Sequence, residues 1–327
     1  MTWSCGLLPI HKRHTSKMNS KVGVLIFLLC VTGICVFWRG DVSSYFAPRE
    51  ERPWACSSED EPLFMQRFSK FAEPFLSVNN NLSEDNFNWW KRLQAESRSF
   101  NAYKETVSKM FQMIPTSAED EASSPDRCRS CAVVGNSVNL KKSHYGPLID
   151  FQDVVIRMNR GPTKGYEADV GTRTTHHVMY PESAVNLENN THLVLFAFKI
   201  LDLEWVTKAL STGFSGSSYA PIASNIKANK DLVMVLDPAF MRYVHEEWLQ
   251  KKGVYPSTGF MALVLALHIC DEVHVFGYGA DSDGNWSHYW EELRNKKLKT
   301  GGHPGDVEYA KIKELDQNQI IKFYRGG

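Results

Sequence analysis

Two histidines in loops are the residues of this sequence best suited to proton transfer. His288 precedes Tyr289 and Trp290, while His303 is followed after four residues by Glu308. An imidazole titrates near neutral pH, so it can donate or accept a proton during a reaction. One loop histidine is usually an ordinary surface residue. Two of them beyond the ends of predicted strands, with anion sites nearby, favour acid–base chemistry.

Asparagines follow two predicted strands at the points where a dinucleotide-binding fold would carry glycines. Asn136 comes after the apolar run at 131–135, and Asn159 comes after the run at 154–158. Ligands of open α/β sheets bind beyond the carboxyl ends of the strands. An amide side chain can both donate and accept hydrogen bonds, so the pair could read a base edge or a ribose. The alternative is that each asparagine caps a turn.

A helix start forms the third candidate site. Ser257, Thr258 and Gly259 precede or begin a long apolar helix predicted over 258–270. Serine and threonine are common helix caps. The free N–H groups and positive dipole end of such a helix can also bind a phosphate or a carboxylate. Both interpretations can hold together.

An acidic pair at Asp281 and Asp283 has the D-x-D spacing with which many Golgi sugar transferases bind a divalent metal. Such a metal bridges the diphosphate of a nucleotide sugar. Acidic pairs are also frequent in turns, and Gly284 follows this one, so a plain turn is the competing interpretation.

These loops need a sheet to bring them together, and the hydrophobic pattern predicts one. Apolar runs without polar alternation indicate strands buried on both faces, and helical patterns separate several of them. The chain is therefore predicted to be an α/β protein with a mainly parallel sheet. His176 and His177 lie inside one run and are interpreted as structural. Strands are predicted at 131–135, 154–158, 175–180, 192–198, 232–236, 272–277 and 320–324, and helices at 202–210, 238–252 and 258–270.

The segment before the sheet has a different pattern. Residues 61–114 are predicted to be helical, because Phe64, Phe68 and Phe71 recur at helical spacing, as do later apolar residues. The polar stretch 115–127 is predicted to be a linker.

One segment is apolar enough to cross a membrane. Residues 22–38 carry no charge, follow a lysine-rich stretch and match the short end of the length that spans a bilayer. The positive flank predicts a cytosolic tail at 1–21, a signal anchor at 22–38, a stem at 39–60 and a lumenal domain at 61–327. A cleaved signal peptide is the alternative, but Trp38-Arg39 is unlike a cleavage site.

The cysteines fit an oxidising compartment. Of seven, only Cys56, Cys128, Cys131 and Cys270 would face the lumen, and four cysteines allow three pairings. A zinc or redox role for the C-x-x-C at 128–131 is the alternative, although a zinc site would need a second close pair.

Composition and sequons agree with a lumenal protein. Lys plus Arg equals Asp plus Glu at 37 each, so there is no basic excess of the kind that nucleic-acid binders show. Asn81 and Asn189 are predicted glycosylation sites, and Asn285 begins a third sequon among aromatic residues.

Four motifs together resemble the animal sialyltransferases. The family's long motif resembles 131–171, its short motif 256–281, its third motif 288–290, and its very short motif the pair His303 and Glu308. They occur in the family's order, and the resemblance extends from about residue 62 to the end. The stretches WWKRLQ, DLEWV and GVYPSTG are similar to the β-galactoside α-2,3-sialyltransferases that act on Galβ1,3GalNAc.

The resemblance implies a GT-A-like, Rossmann-type single domain that uses CMP-sialic acid as donor, with no metal and no other cofactor. It implies a Golgi type II membrane protein that acts on galactose-terminated O-glycans or glycolipids and allows a homodimer or a cleaved soluble form. One phosphate, unlike a diphosphate, can be stabilised by a histidine and a helix start. The implied donor-binding residues are Asn136, Asn159, Ser257, Gly259, Gly279, Tyr219, Tyr255 and His288.

The same resemblance implies roles for the reacting groups. His303 would be the general base that takes the proton of the galactose 3-hydroxyl, and His288 would donate to the leaving phosphate. Gln94 and Tyr255 would contact the acceptor. Glu308 would have a structural or supporting role.

The resemblance also implies the disulfides. It pairs Cys131 with Cys270 and Cys56 with Cys128. Close relatives carry two further stem cysteines near Cys56, where this chain has Ser57, Ser58 and acidic residues, so the second pairing departs from their pattern. Two other functions are weighed against sialyl transfer. One is a metal-dependent UDP-sugar transferase, and the other is a non-catalytic lumenal glycan-binding relative.

Overall fold

A parallel β-sheet forms the centre of the protein. The computed structural model describes residues 67–79, 81–115, 128–291 and 302–326. Its seven strands lie in the order β5-β4-β3-β2-β1-β6-β7, and every neighbouring pair is parallel. The predicted mainly parallel sheet is thus confirmed. The strands are β1 Ser130–Val134, β2 Val154–Met158, β3 His176–Met179, β4 His192–Leu195, β5 Val233–Val235, β6 Glu272–Phe276 and β7 Lys322–Tyr324.

Helices cover the sheet and connect its strands. Their arrangement follows from the buried strands, which need apolar cover on both faces. The α-helices are α1 Glu84–Trp90, α2 Phe100–Phe111, α3 Gly146–Asp150, α4 Glu167–Val170, α5 Ile200–Ala209, α6 Pro238–Tyr243, α7 Thr258–Ile269 and α8 Gly305–Gln317. Shorter turns are the 3-10 helices Val138–Leu140, Pro181–Ser183 and Lys230–Leu232, and the π-helix Val244–Trp248 continues α6.

The strand order creates a crevice between β1 and β6. The chain starts at β1, winds outward to β5, and then returns to the other side of β1 as β6. Ligands of open α/β sheets bind at such a reversal, beyond the carboxyl ends of the strands. Helix α7 packs against β1, β2 and β6 and is buried around nearly its whole circumference. Its start lies beside the loop that follows β6, because the Tyr278 hydroxyl donates to Gly259 O.

Aromatic side chains join the N-terminal helices to the sheet. Phe87 and Trp90 of α1 lie within 5.5 Å of Tyr103 of α2, ring centre to ring centre. The Trp90 indole N–H donates to the carbonyl of Ala197 at 2.7 Å, just past the end of β4. All three aromatic side chains are buried and belong to the hydrophobic core.

Three predicted boundaries are wrong. Residues 67–79 contain no helix, although Phe68 and Phe71 have helical spacing. This segment instead extends the sheet edge, where the Leu76 amide donates to Val235 O at 2.8 Å, and Pro74 could not continue a helical hydrogen-bond ladder. The predicted helix 238–252 changes to a π-helix after Tyr243 and ends at Trp248, and the predicted strand 192–198 ends at Leu195.

The predicted disulfide between Cys131 and Cys270 is confirmed. It joins the start of β1 to the residue that follows α7, across a sequence separation of 139 residues. Cys128 is also disulfide-bonded, but Cys56 lies outside the described residues, so that pairing stays a prediction.

The predicted tail, signal anchor and stem also lie outside the described residues. Within the described parts of the chain, no helix combines the length and the apolar character needed to cross a bilayer.

Candidate functional site

The loops that follow β1 and β6 are bound directly to each other. The Gly135 amide donates to Phe276 O at 2.8 Å, and the Ser137 hydroxyl donates to Gly279 O at 2.7 Å. A Cβ atom on Gly135 would lie 2.3 Å from the carbonyl oxygen of Gly277. A glycine is therefore required where the first strand ends, because the second loop's backbone occupies the side-chain position.

We expect Gly135→Ala to destabilise the protein by on the order of 1–3 kcal/mol, since the obstacle is backbone and not a flexible side chain. Binding of a ligand in the crevice should weaken with it. Gly165→Ala is the control, because its Cβ would meet nothing within 4 Å and only its positive φ of 88° opposes the change. Urea unfolding of both variants measures the difference. Equal stability losses would contradict the steric argument.

The two candidate asparagines converge at the end of β2. The Asn136 side-chain amide donates to Met158 O at 3.2 Å, next to Asn159. Asn159 has a left-handed backbone with φ of 55°, which asparagine tolerates better than most residues. Its side-chain oxygen is buried and accepts no hydrogen bond from the described residues. The predicted pair is thus brought together, and the buried side-chain oxygen of Asn159 has no hydrogen-bond donor among the described residues.

His288 is positioned against the same loop. Val138 N donates to Ser287 O at 2.9 Å, and Tyr289 N donates to Asn136 O at 3.0 Å. The His288 ring stacks on Trp290 at 4.6 Å, and its Nδ1 lies 3.2 Å from a carboxylate oxygen of Glu291. With Nδ1 oriented toward Glu291, Nε2 is the ring nitrogen that remains for a ligand.

The start of α7 lies on the other side of the crevice. The Ser257 hydroxyl accepts from Phe260 N at 3.0 Å, so its interpretation as a helix cap is confirmed. The Tyr278 hydroxyl donates to Gly259 O at 2.8 Å, and a Cβ on Gly259 would lie 3.0 Å from the Tyr278 ring. Gly279 is similarly close-packed, with φ of 91° and the Tyr309 ring 2.6 Å from its would-be Cβ.

Tyr255 and His303 form a second part of the site. Val254 N donates to Gly302 O at 2.8 Å, and a Cβ on Gly302 would lie 3.1 Å from the Tyr255 ring. His303 therefore follows directly after a residue that packs on Tyr255. Burial lowers the pKa of His303, which keeps its imidazole neutral and able to accept a proton near neutral pH.

Glu308 connects the two parts. It lies in the first turns of α8 just after His303, and its carboxylate accepts from Ser257 N at 2.7 Å. The side chain is buried, and burial raises its pKa. The sequence gives no sign of this contact. The contact indicates that Glu308 positions the start of α7, in agreement with the supporting role predicted for this residue.

A charged cluster that the sequence analysis missed supports Tyr219. The Lys199 ammonium lies 5.5 Å from the centre of the Tyr219 ring, 3.1 Å from Glu182 and 2.7 Å from Asp202. Burial raises the pKa of Asp202 to about 6. Tyr219 itself is 71% exposed. The DLEWV stretch contains Asp202, so a signal was present, but the partners lie far apart in sequence.

Gln94 lies on the β4 side of the strand ends. Its loop is held by Glu96, which accepts from Ile200 N at 2.9 Å and pairs with Arg98 at 2.9 Å. No hydrogen bond between described residues joins Gln94 to His288 or His303. Gln94 thus lies two residues before Glu96, which is bound to the first residue of α5.

A match to the sequence profile of one protein family identifies the family of this chain. Glycosyltransferase family 29 (sialyltransferase) matches residues 75–320. The chain belongs to glycosyltransferase family 29 and is a sialyltransferase. The predicted family is confirmed.

Similar proteins extend this match over most of the chain. CMP-N-acetylneuraminate-beta-galactosamide-alpha-2,3-sialyltransferase 1 of Mus musculus is 46% identical, covering 83% of this chain and 82% of its own. The Sus scrofa protein of the same name is 45% identical, covering 98% of this chain and 100% of its own. CMP-N-acetylneuraminate-beta-galactosamide-alpha-2,3-sialyltransferase 2 of Rattus norvegicus is 48% identical, covering 80% of this chain and 76% of its own.

A solved structure gives the same result for the fold. The crystal structure of a mammalian sialyltransferase superposes with a TM-score of 0.75 at 44% identity, covering 82% of this chain and 95% of that one. A second structure, with the same TM-score and coverage, is that sialyltransferase in complex with Gal-beta-1-3GalNAc-ortho-nitrophenol.

The acidic pair of this sialyltransferase is a turn. The Asp281 carboxylate accepts from the backbone of Asp283 at 3.0 Å and of Asn285 at 2.7 Å, and from the Asn285 side chain at 3.1 Å. Among the residues that the structure describes, no group of three or more His, Cys, Asp or Glu side chains is arranged to hold a metal ion. Asn81 and Asn189 are exposed, and their glycosylation stays a prediction.

The Glu308 contact predicts different results for two substitutions. Glu308→Ala leaves Ser257 N without its buried acceptor and should destabilise the enzyme by about 1–3 kcal/mol and raise the KM for its donor substrate. Glu308→Gln keeps an acceptor oxygen and should retain most activity. Because burial raises the pKa of Glu308 in the folded state above its unfolded value, the stability of the wild type falls as the pH rises from the unfolded pKa through the folded pKa. The glutamine variant should therefore gain stability relative to wild type from acid to neutral pH.

Urea unfolding across this pH range and initial-rate kinetics measure both effects. A kcat loss in Glu308→Gln as large as that in Glu308→Ala would mean that Glu308 transfers protons instead of positioning the helix.

Proposed function

We propose that this sialyltransferase transfers sialic acid from CMP-sialic acid to the 3-hydroxyl of terminal galactose in Galβ1,3GalNAc. The observation that carries the proposal is the likeness to the solved sialyltransferase in complex with Gal-beta-1-3GalNAc-ortho-nitrophenol, over 82% of this chain. The names of the relatives, which specify α-2,3 transfer to β-galactosamide, support it. Glycoproteins and glycolipids that end in this disaccharide are the proposed acceptors.

The donor would lie in the crevice between β1 and β6. Asn136 and Asn159 would hold the nucleotide from one side, and Ser257, Gly259 and Gly279 would contact it from the other. His288 would approach the phosphate, since its loop is bound to the Asn136 loop. The N-terminus of α7 adds a positive dipole end close by, which favours an anion. Tyr219 and Tyr255 would complete the site near the donor phosphate and the acceptor.

The reaction would be one inverting displacement. A ring nitrogen of His303 takes the proton of the galactose 3-hydroxyl, and that oxygen forms a bond to the anomeric carbon of sialic acid. The bond from this carbon to the phosphate oxygen breaks, and CMP leaves with the electron pair. His288 donates a hydrogen bond to the leaving phosphate, which stabilises the charge that develops there. Gln94 and Tyr255 would orient the acceptor.

No metal is required in this scheme. CMP-sialic acid carries a single phosphate, and the side chains and helix dipole named above can stabilise its charge. The turn around Asp281 supports the proposal, because its carboxylate already accepts backbone and side-chain N–H groups.

We expect full transfer activity after treatment with EDTA. The chelator removes divalent ions, which none of the proposed steps uses. Initial rates with CMP-sialic acid, before and after chelation, measure this. Complete loss that Mn²⁺ restores would contradict the metal-free scheme. Asp281→Asn is the matching variant. It should keep its activity in the metal-free scheme, whereas a metal bound at Asp281 would make this variant lose activity.

The proposed cellular setting completes the assignment. The chain would be a GT-A-like Golgi enzyme of type II topology, with residues 22–38 as its anchor and 61–327 in the lumen. A homodimer and a soluble form cleaved in the stem are compatible with this arrangement.

An acceptor panel tests the proposal. The full-length protein is incubated with CMP-sialic acid and with Galβ1,3GalNAc, Galβ1,4GlcNAc or lactose, and the product linkage is determined. We expect preferential α-2,3 transfer to Galβ1,3GalNAc. Preferential use of Galβ1,4GlcNAc, or a different linkage, would refute the assigned specificity while leaving the family unchanged.

A further inference from the structure

The backbone of Asn159 needs an external support. Its φ of 55° lies in the left-handed region, at the point where β2 ends. Its amide N–H donates to Val178 O of β3 at 2.8 Å, which fixes one side of the residue. The direction of the side-chain amide depends on this backbone conformation. Whatever holds the Asn159 carbonyl therefore also aims its buried side-chain oxygen.

His177 makes that contact. Its Nε2 lies 2.6 Å from the Asn159 carbonyl oxygen, and the residue is 5% exposed within β3. A carbonyl can only accept, so Nε2 must carry the proton. The pKa of His177 is lowered to about 4, mainly by burial and in part by the nearby Arg157 guanidinium. The ring is thus a neutral N–H donor at the pH of the secretory pathway.

Arg157 lies beside His177 but makes its hydrogen bonds to other groups. It is the register partner of His177 across β2 and β3. Its guanidinium donates to Arg173 O and the Thr174 hydroxyl at 3.0 Å, and to Val170 O at 2.7 Å. Arg157 therefore secures the loop below the strands, and the contact with the Asn159 carbonyl belongs to His177.

We propose that His177 is a positioning residue of the donor site, which holds the Asn159 carbonyl so that the Asn159 amide faces the nucleotide. This rests on the proposed function, because it assumes that Asn159 binds the donor. Sequence alone assigns His176 and His177 equally to the interior of a strand. The structure separates them by what each imidazole contacts.

His176 is the matched control. It is 2% exposed in the same strand, and its Nδ1 lies 2.9 Å from the Thr175 hydroxyl. Its ring stacks on His192 at 4.5 Å. Successive residues of a strand point to opposite faces, so His176 cannot reach the Asn159 carbonyl as His177 does. Replacing it should disturb packing without changing donor binding.

The test compares His177→Met, His177→Gln and His176→Met in the full-length enzyme. We expect His177→Met to raise the Kd for CMP and the KM for CMP-sialic acid roughly tenfold, as one lost hydrogen bond to a buried group would. Its kcat should stay within about twofold, because saturating donor restores the bound arrangement. His177→Gln keeps an N–H donor and should show a smaller shift. His176→Met should leave the Kd and KM unchanged.

A double-variant cycle separates this inference from the proposed function. In an Asn159→Ala background, His177→Met should have no further effect on the Kd for CMP. An equal effect in both backgrounds would overturn the inference, since His177 would then not act through Asn159. An unchanged Kd in Asn159→Ala alone would instead remove Asn159 from the donor site. A lower melting temperature in His177→Met with an unchanged Kd would show a purely structural role and also overturn the inference.

A measurement on the wild-type enzyme does not depend on variant folding. With ¹⁵N-labelled histidine, His177 should show the neutral Nε2–H tautomer from about pH 5 to pH 8, and its Nε2 signal should shift when CMP is added. An Nδ1–H tautomer, or a signal that CMP leaves unchanged, would contradict the proposed contact and its coupling to the donor.

Discussion

His303→Ala is expected to lower kcat by about 10²–10⁴-fold, the usual contribution of a positioned general base. The affinity for CMP should stay within about twofold, because the nucleotide would bind at the β1 and β6 loops. The structural reason is the neighbourhood of His303. It follows Gly302, which packs on Tyr255, and it precedes α8. Burial lowers its pKa, so the neutral base is the dominant form near neutral pH.

The pH profile checks the same assignment. A base must be unprotonated to act, so the rate falls as the pH drops through its pKa. Since burial lowers that pKa from the ordinary value of 6.5, the acid limb of kcat/KM should lie below pH 6.5. In the alanine variant this limb should vanish from the residual activity, because the group that titrates has been removed.

Two further variants serve as comparisons. His288→Ala should weaken both turnover and donor use, since this imidazole would contact the phosphate instead of the acceptor hydroxyl. His144→Ala is the control, as its side chain is 78% exposed and its Nδ1 lies 4.0 Å from the Asp169 carboxylate. Full activity in His303→Ala would remove His303 as the base, whatever the other two variants show.

The parallel sheet could be predicted because strands β1 to β6 are buried on both faces over nearly their whole length. Such strands must be continuous apolar runs, as in Ala132 to Val134 and Val154 to Ile156, and burial of these residues is complete or nearly so. The segment 67–79 could not be predicted in this way. Its phenylalanines have helical spacing, but its backbone pairs with the end of β5, a residue more than 150 positions away. Nonlocal pairing of this kind overrides local periodicity.

The candidate site was predictable where it depends on position at strand ends. Asn136 and Asn159 follow neighbouring parallel strands, so their proximity follows from the fold alone. The contacts that hold these residues were not predictable. Ser257 and Glu308 are 51 residues apart, and Lys199 and Glu182 belong to different loops. The contact of His177 with Asn159 needs the register of β2 and β3, which no local pattern fixes.

The Cys131→Ala/Cys270→Ala double variant should lower the free energy of unfolding by about 2–5 kcal/mol, the usual cost of removing a native disulfide. The bond closes a separation of 139 residues, so its absence returns much conformational freedom to the unfolded chain. In the native state Cys131 is fully buried and pairs in register with Val273 of β6. Two alanines therefore also lose buried contacts beside the crevice.

Urea unfolding of the full-length protein, with and without reductant, measures this loss. Reduced wild type should unfold at a lower urea concentration, and the double variant should respond to reductant only through the disulfide of Cys128. The pairing of β1 with β6 does not depend on the disulfide, because the two strands are paired along their whole length, Ser130 to Val134 with Glu272 to Phe276. We therefore expect the folded double variant to keep its donor KM within about threefold below the unfolding transition. If the double variant unfolded at the same urea concentration as the wild type, the disulfide would have no stabilising role. A lost donor site in a still-folded variant would show instead that the disulfide itself fixes the register of the two loops.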